Sequence, residues 1–291
     1  MRTDYLLGID GGGTQCRARL TDRQGKVLAE VAGGPANVWS RFDEALATVN
    51  GLIVEALRQA DLPQHCLAQT SVAAGLAGAN VASVKTRLAS WQPPCQQIML
   101  LTDVEIACMG AHGGEPGAVF IVGTGSQGAA WDGERFSLLG GWGFALSDLG
   151  SGAELGRRAL RLALLAHEEV VSPSPLTHAI MARFDQSAEA MLLWSQQATP
   201  ADWGRVVPDV FAAASAGDAQ GRLLVQQTAD NIALMVRRLT ARSAGRLSLM
   251  GGLALPIQPW LAADVQAMLT LPQGDALDGA LRLARQQAEK R

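Results

Sequence analysis

The chain has 291 residues, close to the upper limit for a single hydrophobic core, so two lobes with a cleft between them are the expectation. Hydrophobic residues make up 48% and charged residues 18%, which excludes a disordered chain, and no apolar run reaches the roughly 20 residues of a membrane helix. A net charge of -3 without a Lys/Arg block argues against nucleic acid as a partner.

The first segment, Leu6-Leu7-Gly8-Ile9, is apolar and ends in the turn Asp10-Gly11-Gly12-Gly13-Thr14. An alternating stretch, Cys16 to Leu20, leads to a second turn at Asp22–Gly25, and a third strand extends to about Val31. Apolar residues at helical spacing, Ala45, Leu46, Val49, Leu52, Ile53, Ala56 and Leu57, predict a helix over 43–60. A strand at 71–74, a helix over 81–91 ending before Pro93-Pro94, and a strand at 98–101 follow, the last delivering Thr102-Asp103 to its C-terminal end. Another helix runs from Val104 to about His112, and Gly113-Gly114-Glu115-Pro116-Gly117 has the composition of a hinge.

The strand-turn-strand-turn-strand unit then recurs over 118–139. Val119-Phe120-Ile121-Val122 ends in Gly123-Thr124-Gly125-Ser126, in the same place as the first Gly-rich turn. Helices are predicted over 151–169, 175–184, 188–197 and 203–216, with the look of an insertion, and a long amphipathic helix spans 218–240. A strand at 246–250 ends in a third turn, Gly251-Gly252-Leu253, and a terminal helix over 275–290 is expected to pack back on the first lobe. The expected domains are 1–115, 116–274 and the closing helix 275–291, in an α/β fold.

Glycine turns at strand ends let backbone N–H groups approach a phosphate, and Thr14 and Ser126 add hydroxyl donors. Asp10, at a strand end, suits Mg²⁺ held through water. There is no G-x-x-x-x-G-K-[ST] P-loop and no G-x-G-x-x-G opening a helix. Asp103 reads either as the cap of the helix that follows or as a general base at the cleft, with Glu105 as a fallback base or first-turn dipole partner. In Gly140-Gly141-Trp142-Gly143 and Asp148-Leu149-Gly150-Ser151-Gly152, Trp142 reads as core or as a sugar-stacking surface. Asp148 and Ser151 there are candidate helix caps, and Asp148 is also a candidate acceptor from sugar hydroxyls. Asn37 reads as a turn residue or as a cleft amide. Cys16, Cys66, Cys95 and Cys108 are scattered without C-x-x-C spacing, consistent with inert thiols in a reducing compartment. No signal peptide is evident, so a cytoplasmic protein is expected.

These residues together resemble the BadF/BadG/BcrA/BcrD ATPase family, and within it the N-acetylglucosamine and glucosamine kinases of the sugar kinase, hsp70 and actin superfamily. Gly8-Ile9-Asp10-Gly11-Gly12-Gly13-Thr14 is similar to the first phosphate motif, Gly123-Thr124-Gly125-Ser126 to the second, and Gly251-Gly252 to the adenosine-side turn. The resemblance implies two ribonuclease-H-like (actin-like ATPase) lobes with a duplicated βββαβα core, closing over ATP, Mg²⁺ and a sugar, commonly as a homodimer. It implies Asp103 as catalytic aspartate and Asn37, Asp103, Thr124, Gly141, Trp142 and Asp148 as amino-sugar contacts, with phosphate going to the 6-hydroxyl. One departure is Leu149, where the family usually carries an acidic residue within Gly-Asp-Glu-Gly-Ser-Gly. The family also includes ATPases that activate a partner enzyme through a bridging iron-sulfur cluster. A non-enzymatic sugar sensor would need an output module such as a helix-turn-helix, for which no segment is evident.

Overall fold

The computed structural model describes residues 3–290. Its first sheet has five strands, β1 (Tyr5–Gly11), β2 (Cys16–Asp22), β3 (Val27–Gly33), β4 (Thr70–Leu76) and β5 (Gln97–Leu101), in the order β3-β2-β1-β4-β5. β1 runs antiparallel to β2 and parallel to β4, which places Asp10 between Arg17 and Gly75. The helices of this half are α1 (Phe42–Gln59), α2 (Ala82–Ala89) and α3 (Asp103–Ala111).

Successive residues of β1 point to opposite faces, yet Leu6, Leu7 and Ile9 are all buried because both faces are covered. Leu7 and Ile9 pack with Val49, Ile53 and Ala56 of α1, while Leu6 packs with Ile106 and Met109 of α3 on the other side. The terminal helix α12 (Ala276–Glu289) joins that second layer through Ala280, Leu283 and Ala284. It lies so close to α3 that a Cβ on Gly279 would strike the Ile106 carbonyl, which is why glycine stands at the crossing.

The second sheet repeats the pattern with β6 (Gly117–Val122), β7 (Ser126–Trp131), β8 (Phe136–Gly140) and β9 (Leu247–Met250), in the order β8-β7-β6-β9. Again the first three strands are antiparallel and the fourth is parallel to the first. Where a fifth strand would pair with β9, only an isolated parallel bridge, Leu247 to Leu269, is present among the described residues. The duplicated α/β core predicted from the sequence is thus present, with its last strand reduced to a bridge.

Between β8 and β9 lie α4 (Gly152–His167), α5 (Pro175–Ala182), α6 (Ala188–Gln197), α7 (Pro200–Trp203), α8 (Val207–Ser215) and α9 (Ala219–Thr240). The helix predicted over 203–216 starts as a 3₁₀ turn at Gly204–Val206 and continues as α8, with Pro208 in its first turn, while the four-residue α7 just before it is too short to leave a periodic signal. Two four-residue helices follow β9, α10 (Ala254–Ile257) and α11 (Ala263–Gln266), too short to leave a periodic signal in the sequence.

α3 is buried nearly all round because it serves both sheets. Ile106 and Met109 face the first core, and Val104, Cys108 and Ala111 pack against Val119 and Ala129 of the second. Asp103, at its first position, therefore stands where the two sheets meet.

Candidate active site

A cavity of about 520 Å³ opens beside the start of α3. It is lined from the first half by Asn37, Trp39, Asn80 and Asp103, and from the second by Ser126, Gln127, Gly141, Trp142 and Asp148.

Asp103 does not cap its helix. Thr102 is the N-cap: its hydroxyl accepts from the Glu105 N–H at 3.3 Å, and the Glu105 carboxylate accepts from the Thr102 N–H at 2.7 Å and from the Thr102 hydroxyl at 2.8 Å. This reciprocal box also removes Glu105 as a fallback base. The Asp103 carboxylate accepts from the Val104 N–H at 2.9 Å and otherwise faces the cavity. Burial, together with the negative charges of Asp10 and Glu105, pushes its pKa up to about 6, against the lowering effect of that N–H. A carboxylate poised there accepts a proton efficiently near neutrality.

The first Gly-rich turn borders the cavity without lining it, whereas the second lines it through Gly125 and Ser126. Gly11 and Gly12 present carbonyls to the Ala77 and Ala36 N–H groups at 2.8 and 2.9 Å, while Gly13 and Thr14 are exposed. The Asp10 carboxylate accepts from Arg17 at 2.8 Å and stays partly exposed. In the second turn Gly123 and Thr124 accept from the Gly152 and Ala153 N–H groups at the start of α4, at 2.8 and 3.1 Å. Gly251, at φ +94°, sits so tightly under Val122 that a side chain would strike its backbone, whereas Gly252 faces open space.

Trp142 does not fill the core; it is 61% exposed, as is Trp39. Asp148 is buried at φ +60°, and Ser151 rather than Asp148 caps α4, accepting from the Glu154 N–H at 3.2 Å. Burial raises the Asp148 pKa, against the lowering effect of the Ser126 N–H. Asn37 is both turn residue and cleft residue: its Oδ1 accepts from the Trp39 and Ser40 N–H groups at 2.9 and 3.1 Å, and its side chain lines the cavity. Sequence reasoning missed Trp39, Asn80 and Gln127, which stand on no motif and reach the cavity only through the tertiary fold.

Two carboxylates, the Asn37 and Gln127 carboxamides and two exposed indoles around one cavity suit a small polyhydroxylated ligand, with ring faces stacking on tryptophan and hydroxyls donating to carboxylates, while the Asn80 amide is engaged with the Gly141 carbonyl. Asp10 offers one carboxylate beside Asp103, and among the described residues no group of three or more His, Cys, Asp or Glu forms a cage. One carboxylate fits Mg²⁺, which ordinarily keeps several waters and takes its remaining ligands from phosphates. Among the described residues no helix is long and apolar enough to cross a membrane.

Residues 7–281 match the model of the BadF/BadG/BcrA/BcrD ATPase family. The chain is 38% identical over 281 residues to the glucosamine kinase GspK of Vibrio cholerae, covering 97% of this chain and 96% of that one. It is 27% identical over 246 residues to the N-acetyl-D-glucosamine kinase of Dictyostelium discoideum, covering 79% and 77%. A crystal structure from Chromobacterium violaceum, assigned as an N-acetylglucosamine kinase, superposes with a TM-score of 0.84 at 33% identity, covering 97% of this chain and 99% of that one.

Proposed function

The chain belongs to the BadF/BadG/BcrA/BcrD ATPase family, and from that membership we propose an ATP-dependent amino-sugar kinase that phosphorylates the 6-hydroxyl of N-acetylglucosamine or glucosamine. The observation that carries the reading is Asp103, which its own helix does not use as a cap and which faces a cavity lined for a sugar.

In this reading ATP supplies the γ-phosphoryl group, and Mg²⁺ neutralises charge on its phosphates. Asp103 accepts the proton of the 6-hydroxyl as that oxygen attacks the γ-phosphorus and the bond from that phosphorus to the β,γ-bridging oxygen breaks, releasing ADP. Asn37, Thr124, Gly141, Trp142 and Asp148 hold the sugar, Trp142 through its ring face and Asp148 by accepting from hydroxyls. Gly11, Gly12, Gly13 and Thr14 on one side and Gly123, Thr124, Gly125 and Ser126 on the other cradle the phosphates, and Gly251 and Gly252 pass the nucleoside. Asp10 would hold the hydrated Mg²⁺, exchanging part of its ion pair with Arg17 for it. Residues 1–115 and 116–274 act as the two lobes, with 275–291 fastened to the first, and their closure excludes water so that the sugar outcompetes hydrolysis. A cytoplasmic homodimer without nucleic-acid partners completes the reading.

An activator ATPase with a bridging iron-sulfur cluster is disfavoured by the thiols. All four cysteines are buried, and burial pushes Cys16 and Cys108 up to about 12 and Cys95 to about 11, far from the exposed thiolates that a shared cluster requires. ADP release measured with Mg²⁺-ATP and N-acetylglucosamine, glucosamine, glucose, N-acetylmannosamine or no sugar tests the proposal. A rate dependent on an amino sugar is expected; sugar-independent hydrolysis, or none with any acceptor, overturns it.

A further inference from the structure

Two blocks of backbone hydrogen bonds meet at the cavity, and each is anchored on one Gly-rich turn. In the first, the Ala77 N–H donates to the Gly11 carbonyl at 2.8 Å, the Ala36 N–H to Gly12 at 2.9 Å, and the Val38 N–H to Ala77 at 3.0 Å. Asn37, Trp39 and the turn that carries Asn80 are thereby fixed to the end of β1. Gly78 tightens the join, because at φ +83° its missing side chain leaves room for Trp39 and for the Asn37 Oδ1.

In the second block, the Gly141 N–H donates to the Ser126 carbonyl at 3.2 Å, and the Ser126 hydroxyl donates to the Leu149 carbonyl at 2.9 Å. The turn bearing Gly141 and Trp142 is thus fixed to the second Gly-rich turn and to the loop of Asp148. Gly141 has no room for a side chain either, since the Gln127 amide fills the space where its Cβ would lie.

A side-chain hydrogen bond joins the blocks at the cavity: the Asn80 Nδ2 donates to the Gly141 carbonyl at 3.2 Å. We propose that Asn80 is a positioning residue that couples sugar binding to nucleotide binding, by linking the sugar rim of one lobe to the phosphate turn of the other. The inference rests on the kinase reading above. Asn80 acts on Gly141 and Trp142 rather than on the reacting atoms. A ligand that draws either Gly-rich turn inward carries its block along, and the Asn80 bond transmits that shift to the opposite rim. Loss of the bond leaves each half-site intact but lets the two close independently, so the coupling free energy falls while the separate affinities hold. A single neutral hydrogen bond of this kind sets the scale of the loss at roughly 3–10-fold in the coupling factor.

The test is calorimetric binding of N-acetylglucosamine and of glucosamine to the full chain, with and without a non-hydrolysable ATP analogue and Mg²⁺, in wild type, Asn80→Ala and Asn80→Asp. Asn80→Ala removes the whole carboxamide without adding charge, and the near-isosteric Asn80→Asp keeps the shape of the turn while removing the donor. The wild type is expected to bind sugar more tightly when the nucleotide site is filled. Both variants are expected to lose roughly 3–10-fold of that enhancement, with the nucleotide affinity measured alone unchanged and with KM for sugar rising while kcat holds. Retention of the full enhancement in both variants, with wild-type sugar binding intact, overturns the role of Asn80 and leaves the kinase reading standing. Failure of the wild type to bind either sugar overturns the kinase reading, and this inference with it.

Discussion

Thr102 and Glu105 bond to each other across the first turn of α3, through both main chain and side chains, and leave Asp103 between them with its carboxylate turned to the cavity. Capping and chemistry are divided between neighbours, and the division is testable. Asp103→Asn is expected to retain sugar binding and lose roughly 10²–10⁴ in kcat, the usual worth of general-base help. Glu105→Ala is expected to lower stability by about 1 kcal/mol with kcat changed far less. Steady-state rates and thermal melts of the two variants side by side decide it; a near-normal rate for Asp103→Asn removes its role as base.

The raised Asp103 pKa has consequences for rate and for stability. As a base it works ionised, so kcat/KM is expected to climb as pH rises through about 6 and to level above it. For stability the sign is opposite. The folded-state pKa lies above the unfolded one, so the contribution of this carboxyl is fully present below its ordinary value of 3.8 and is lost as pH rises through about 6. Asp103→Asn, which does not titrate, is therefore expected to be more stable than wild type at neutral pH, by about 3 kcal/mol, with the advantage vanishing in acid. Melts across that range check the sign; a variant equally stable at every pH shows that the carboxyl carries no such burden.

Gly251 and Gly252 are adjacent but differ in what a side chain would meet. At Gly251 the backbone is left-handed and Val122 blocks the space, so Gly251→Ala is expected to lower stability by roughly 1–3 kcal/mol. Nothing lies near the position a Gly252 Cβ would take, so Gly252→Val is expected to fold as wild type while raising KM for ATP and leaving KM for sugar unchanged. An unchanged KM for ATP in that variant places the nucleoside elsewhere.

What the sequence disclosed follows from how local each signal is. The β1 and β6 repeats were legible because an apolar strand ending in glycines and hydroxyls has the same pattern twice, and α1 because its buried positions keep helical spacing along its length. The reciprocal cap was within reach of the sequence as Thr102-x-x-Glu105, yet the acidic residue next to the strand drew the capping role to itself. Asn80 and Gln127 had no local signature, since their significance arises only when β4 and β7 bring them to opposite sides of the Gly141 turn.

Asp148 combines a left-handed backbone with a buried side chain, and the two demands can be separated by substitution. Asparagine tolerates that backbone nearly as well as aspartate but brings no negative charge, so Asp148→Asn is expected to fold normally and to raise KM for sugar roughly 10–100-fold, as expected for the loss of a buried charge-assisted acceptor. Alanine satisfies neither demand, and Asp148→Ala is expected to lose a further 1–2 kcal/mol or so of stability because the φ of +60° now strains a residue with no polar side chain to support it. The carboxyl lines the cavity, although it also sits against Gly125 of the second Gly-rich turn, and loss of its charge is expected to weaken sugar binding without weakening ATP binding. Separate KM values for the two substrates discriminate between roles: a rise for ATP alone would assign Asp148 to the phosphate turn and not to the sugar.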